Sequence, residues 1–96
     1  MSRSFRISEE NSKGLIELIE GEESIAQMTY SRLDANNVII DHTKVNPKVK
    51  GTGAGTAILE AMVNWARENK QKVLPLCPFA KAMLEKRSEW HDVIRK

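Results

Sequence analysis

The chain has 96 residues, 41% of them hydrophobic and 29% charged, with a formal net charge of +2. That length holds one domain, residues 1–96, with a modest core, and the composition is that of an ordinary globular chain. The small net charge and the interleaved lysines and acids give no basis for a nucleic-acid partner, and a single cysteine, Cys77, excludes an internal disulfide. No apolar run approaches the roughly 20 residues of a membrane span. Met1-Ser2-Arg3-Ser4 opens without an apolar signal segment, so a cytoplasmic protein is expected.

Residues 5–8 alternate apolar and polar side chains and read as a short edge strand. Residues 14–20 are aliphatic-rich and form a second strand after a polar turn. In the third, Ala26, Met28 and Tyr30 alternate with Gln27, Thr29 and Ser31, the period of a half-buried strand. Asp34-Ala35-Asn36-Asn37 is a turn, since Asn and Asp tolerate the left-handed region. Residues 38–45 are rich in β-branched side chains and extend the antiparallel meander, which Pro47 ends by removing a donor. Within this strand His42 is expected to share a face with Ile40 and Lys44, opposite Asp41 and Thr43.

A helix follows over residues 53–69, with Ile58, Leu59, Met62, Val63 and Ala66 on one face and Glu60, Asn64, Arg67 and Glu68 toward water. It is long enough to cross the sheet, so the next strand, residues 72–76, can lie parallel to the one before it. Pro75 makes that strand an edge or an interrupted ladder, and an open edge there could support a dimer. Pro78 suits the first helical position and leaves Cys77 near the N-cap of a helix with Phe79, Met83 and Ala82 inward. Residues 88–94 form a short terminal helix capped by Ser88. The sum is an α+β layer, helices on a mainly antiparallel sheet with one β-α-β crossover.

The stretch Lys48-Val49-Lys50-Gly51-Thr52-Gly53-Ala54-Gly55-Thr56 carries the chemistry. Glycines let the backbone take positive φ and let a ligand approach closely. The helix behind them presents unpartnered N–H groups and a positive dipole end, which together favour an anion. Lys48 and Lys50 add positive charge beside the loop. Neither a Walker loop nor a dinucleotide fingerprint fits, because Thr56 stands where a Lys-Thr pair or a third glycine would be needed. The plain alternative is a flexible turn capped by small residues.

With that loop, and with Val73-Leu74-Pro75-Leu76-Cys77-Pro78-Phe79 and Ser88-Glu89-Trp90 behind it, the chain resembles the small, minimal members of the GCN5-related N-acetyltransferases. Their Gln/Arg-x-x-Gly-x-Gly/Ala signature is matched on Lys50-Gly51-Thr52-Gly53-Ala54-Gly55, with lysine in the first place. The resemblance implies an acetyl-CoA site, with the pyrophosphate on the N–H groups of residues 50–56. It implies a pantetheine arm pairing with the backbone of Val45, between splayed strands 39–45 and 72–76. It further implies an amine attacking a thioester, with the Val45 N–H as the candidate oxyanion donor. Two helices that wall the acceptor site in larger relatives are missing, which leaves that side open to a large partner such as a protein.

Two side chains are candidates for the chemistry. Cys77 at a helix N-terminus has a stabilised thiolate and could serve as nucleophile or general acid, or else pack as a small buried hydrophobe. His42 could deprotonate the amine, or be a half-buried strand residue. His91 is expected to be solvated, and two scattered histidines with one cysteine make no metal site. The function expected is acetyl transfer from acetyl-CoA to an unidentified amine, by a monomer or weak dimer. A non-catalytic CoA-binding module is the alternative, and a small anion- or RNA-binding protein is a third.

Overall fold

The computed structural model describes residues 3–95; Met1 and Ser2, read above for a signal segment, and the terminal Lys96 lie outside them. Four strands run as an antiparallel meander, β1 (Arg3–Glu10), β2 (Lys13–Glu20), β3 (Glu23–Arg32) and β4 (Asn37–Val45). A 3-10 turn (Pro47–Val49) leads to α1 (Ala54–Glu68), which crosses the sheet and delivers β5 (Lys72–Pro75) parallel to β4. α2 (Pro78–Lys86) and a second 3-10 turn (Ser88–Val93) end the chain. Strand order is β1-β2-β3-β4-β5, with helices packed on the sheet, the α+β architecture expected. Among the described residues no helix is long and apolar enough to cross a membrane.

The local chemistry explains the connections. Gly21 turns β2 into β3 at φ +64°, where a side chain would be strained. Asp34 Oδ1 accepts from the Asn36 N–H at 2.8 Å and from Asn37 Nδ2 at 2.9 Å, fixing the β3–β4 turn. Ile58, Leu59, Met62, Val63 and Ala66 are all buried, as the helical period predicts. They meet Ile16 and Leu18 of β2, Met28 and Tyr30 of β3, and Val38 and Ile40 of β4 in one core that also takes Leu84, Trp90 and Val93. The other face of the sheet carries Leu15, Thr29 and His42 and has strand residues only around its concavity.

Four expectations need correction. β1 is longer than residues 5–8 and exposed along its whole length, so charge rather than alternation marks its ends. α2 buries Ala80 and Leu84; Phe79 and Ala82 are exposed and Met83 half-buried, because the helix starts at Pro78 and its i, i+4 seam runs from Ala80. The segment after α2 is 3-10, with Arg87 in the cap position and Ser88 inside it. The outer edge of β5 is bridged by Ile94, which pairs with Val73, so the strand whose outer edge the described residues leave free along its whole length is β1.

At the centre of the sheet the Tyr30 ring lies over Gly14 and stacks on Trp65 of α1, centroids 4.7 Å apart. Its hydroxyl donates to Glu9 Oε1 at 2.6 Å, and Arg32 Nε donates to Glu9 Oε2 at 2.8 Å. Burial, and then the Glu9 carboxylate, push the phenol above its usual range. The Arg32 and Tyr30 hydrogen bonds hold Glu9 below its ordinary value of 4.5. A depressed carboxyl contributes stability that is complete above pH 4.5 and is lost as pH falls through the lower folded value. Acid titration of the thermal midpoint should therefore be flatter below pH 4.5 in Glu9→Gln than in the wild type. An unchanged slope would mean that this triad contributes nothing to the acid limb.

Candidate active site

β4 and β5 pair only over Asn37–Ile40 and Lys72–Pro75, plus one bond from the Leu76 N–H to the Ile40 carbonyl at 3.1 Å. Beyond that point β4 continues to Val45 on the β3 side alone, while the other chain turns through Cys77 into α2. A wedge opens between them, and among the described residues no strand pairs with the outer edge of β4 over residues 41–45. The wedge leads into a cavity of about 580 Å³ at the N-terminus of α1.

That cavity is lined by Val45, Lys50, Gly51, Gly53, Ala54, Gly55 and Thr56, together with Thr43 and Phe79. Lys48 and Thr52 do not line it; the Thr52 hydroxyl donates back to the Val49 carbonyl at 2.6 Å and closes the loop. Gly51 and Gly53 have φ of +86° and +85°, and a Cβ built on either meets nothing within 4 Å. The concave side of the loop is therefore open to a ligand. Gly55 differs: it sits in the first turn of α1, where an added Cβ would lie 2.9 Å from the Phe79 ring. Of the three glycines of the loop, Gly51 and Gly53 carry the positive φ, and Gly55 belongs to the helix. The loop then ends in the left-handed Gly53 cap, and Ala54, Gly55 and Thr56 of the first turn of α1, whose N–H groups have no partner within the helix, line the cavity.

Cys77 caps α2 and is buried, with Sγ 3.5 Å from Thr43 Oγ1 on β4. Burial pushes the thiol up, but the Thr43 hydroxyl and the backbone N–H groups of Ala80, Phe79 and Thr43 outweigh it, so the net shift is below its usual value. Thr43 pairs with Met28 on the helix-covered face, so Cys77 looks into the wedge from the same side as the loop.

His42 is placed differently. A β-bulge sets Ile40 opposite Tyr30 and His42 opposite Thr29, with Asp41 as the extra residue between. His42 therefore leaves the face of Ile40, contrary to the simple alternation, and projects exposed on the helix-free face. There Asp41 Oδ2 accepts from Ser31 Oγ at 2.7 Å, and both residues line an open concavity of about 690 Å³ with Leu15, Thr29, Glu10 and Lys13. The sheet thus separates the two candidate catalytic side chains, joined only across the wedge. From the sequence Asp41 could equally orient a neighbour or be a polar strand residue; the bulge, which leaves no mark in the sequence, sets it beside His42 on the helix-free face.

Residues 15–93 match the family described as GCN5-related N-acetyl-transferase. The chain belongs to that family. Among solved structures, a GCN5-like protein of Staphylococcus aureus is 38% identical, with a TM-score of 0.70 over 94% of this chain and 87% of that one. A GCN5-related acetyltransferase of Elizabethkingia anophelis, solved with acetyl-CoA bound, has the same fold at 18% identity and a TM-score of 0.65, over 78% of this chain and 52% of that one. The ribosomal-protein-S18-alanine N-acetyltransferase of Escherichia coli does so at 14% and 0.69, over 81% and 53%. This member of the family thus spans most of the S. aureus protein but only about half of the two larger enzymes. No curated protein sequence matches it significantly.

Proposed function

We propose that this protein is an acetyl-CoA-dependent N-acetyltransferase acting on an amine of a large partner, such as a protein. The observation that carries the reading is the meeting of three features in one cavity. They are the positive-φ glycine loop on the α1 N-terminus and the free edge of β4 at Val45, which line it, and the capped thiol of Cys77, which reaches it through Thr43 of the lining, 3.5 Å from Sγ. Bound acetyl-CoA would supply the acetyl thioester. The N–H groups of residues 50–56 would hold its pyrophosphate, with Lys48 and Lys50 as counter-charges. The unpaired edge at Val45 would hold the pantetheine arm by strand-like hydrogen bonds and offer an N–H to the developing oxyanion.

Cys77 is the reactive thiol in this reading. Donors around Sγ stabilise the thiolate, the form that accepts an acyl group. On the other side of the wedge His42 would take the proton of an incoming ammonium, with the Asp41 carboxylate beside it attracting the cation. The bare strand face around them admits a substrate too large for a walled pocket.

Calorimetric titration with acetyl-CoA, followed by intact-mass spectrometry of the same samples, tests this. Saturable binding and a mass gain of one acetyl group are expected in the wild type. Cys77→Ala should keep the binding and lose the gain. Absence of binding would sink the acetyl-CoA site. Binding with no acetyl gain, and no acetylation of any amine offered, would leave a CoA-binding module without turnover.

A further inference from the structure

Beyond catalysis, we infer that β1 is a self-complementary edge through which two copies of this chain join their sheets. β1 is eight residues long, exposed throughout, and free of proline and bulges; the charged side chains that would otherwise blunt such an edge come in both signs, Arg3 and Arg6 against Glu9 and Glu10. It also exposes Phe5 and Ile7, at 47% and 42%, beside Ala61 and Trp65 in a shallow groove of about 230 Å³. Phe5 and Ile7 stand opposite Leu18 and Ile16 of β2, so they belong to the helix-covered face, yet α1 does not reach over them.

The sequence of the strand selects its occupant. Side chains directly opposite in a sheet share a face, so an antiparallel self-pairing must match odd positions with odd ones. With Arg6 on the two-fold axis, Phe5 faces Ile7 of the partner subunit and Arg3 faces Glu9 of the partner subunit. Four apolar side chains then close into one cluster between the two α1 helices, and both ends of the pairing carry opposite charges. The two Arg6 side chains meet on the other face, but each brings its own counter-ion, Glu17 Oε1 at 3.0 Å. Slipping the pairing by two residues sets Phe5 against the partner's Glu9 in one direction and Ile7 against the partner's Arg3 in the other, so either slip keeps one apolar pair of the two. Such an interface is isologous and gives a closed dimer with one ten-stranded sheet.

Sedimentation equilibrium up to millimolar concentration should give twice the 10.9 kDa chain mass. Ile7→Lys should return the monomer, whereas Leu33→Lys, an equally exposed apolar site at the far turn, should remain dimeric. Should Ile7→Lys fail to fold, Arg6→Cys in a Cys77→Ser background decides. Its Cα atoms face each other across the axis within disulfide reach, so mild oxidation should cross-link the pair, and Ser4→Cys should not. A wild type that stays monomeric overturns the inference. A dimer that survives Ile7→Lys, or one that Arg6→Cys cannot cross-link, overturns this edge or this register.

Discussion

Gly53→Val is expected to weaken acetyl-CoA binding by about 100-fold or more while leaving the chain folded. Gly53 sits at φ +85° and ψ 10° as the cap of α1. A side chain in the left-handed region costs about 1–2 kcal/mol, and more when it is β-branched. Space is not the obstacle, since nothing lies within 4 Å of an added Cβ. The chain would relieve the strain by rotating the peptides on either side, which turns the first N–H groups of α1 away from a common point. Two charge-assisted hydrogen bonds to a phosphate, at about 1.5–3 kcal/mol each, amount to the ~100-fold stated. Gly21→Val is the matched control: φ there is +64°, so the backbone strain is similar but far from the loop. Calorimetry should show lowered stability with intact binding for Gly21→Val, and the reverse emphasis for Gly53→Val. Equal affinities in Gly53→Val and wild type would remove the loop from the site.

Gly14→Ala should be among the most destabilising single-methyl additions in the molecule. Its Cβ would lie 1.9 Å from Tyr30 Cζ, 2.0 Å from Cε2 and 2.5 Å from the hydroxyl oxygen. The ring cannot yield cheaply, because it is clamped between β2 and Trp65 and anchored on Glu9. Overpacking costs about 1–3 kcal/mol, and a displaced buried hydroxyl adds about 1–3 more. A loss of about 2–6 kcal/mol is a large part of the stability of a small domain. For this size it lowers the melting temperature by about 10 °C or more. The mechanism has a specific signature: in a Tyr30→Leu background the same Gly14→Ala change should cost far less, because the two sites share one volume. Additive losses would place the strain elsewhere.

The sequence made some parts of this molecule legible and hid others, for identifiable reasons. Ala26, Met28 and Tyr30 alternate as a half-buried strand must, and Ile58 through Ala66 repeat as a helix face must, so β3 and α1 were plain. The glycine loop was plain because positive φ is written into the residue type. Which of the three glycines take positive φ was not written there, and the backbone angles single out Gly51 and Gly53. β1 was half hidden, since an edge strand without a covered face needs no strict pattern. The bulge at Asp41 was hidden altogether: Val38, Ile39 and Ile40 run into Asp41 and His42 without a break, and the shift arises from pairing with β3. Because of it, His42 changes face. Gly14 gave no signal either, since its constraint is a ring sixteen residues further along the chain.

A sheet that buries one face divides its positions into two populations under selection. Ile16, Leu18, Met28, Tyr30, Val38 and Ile40 are locked by the helices above them. Leu15, Thr29, Ser31 and His42, on the opposite face, contribute nothing to the fully buried core. Substitutions away from cores, caps and special backbone usually change stability by less than about 0.5 kcal/mol. The open face can therefore drift from one descendant to the next while the fold and the glycine loop persist. A partner recognised on that face would be free to change long before a ligand held in the cavity could.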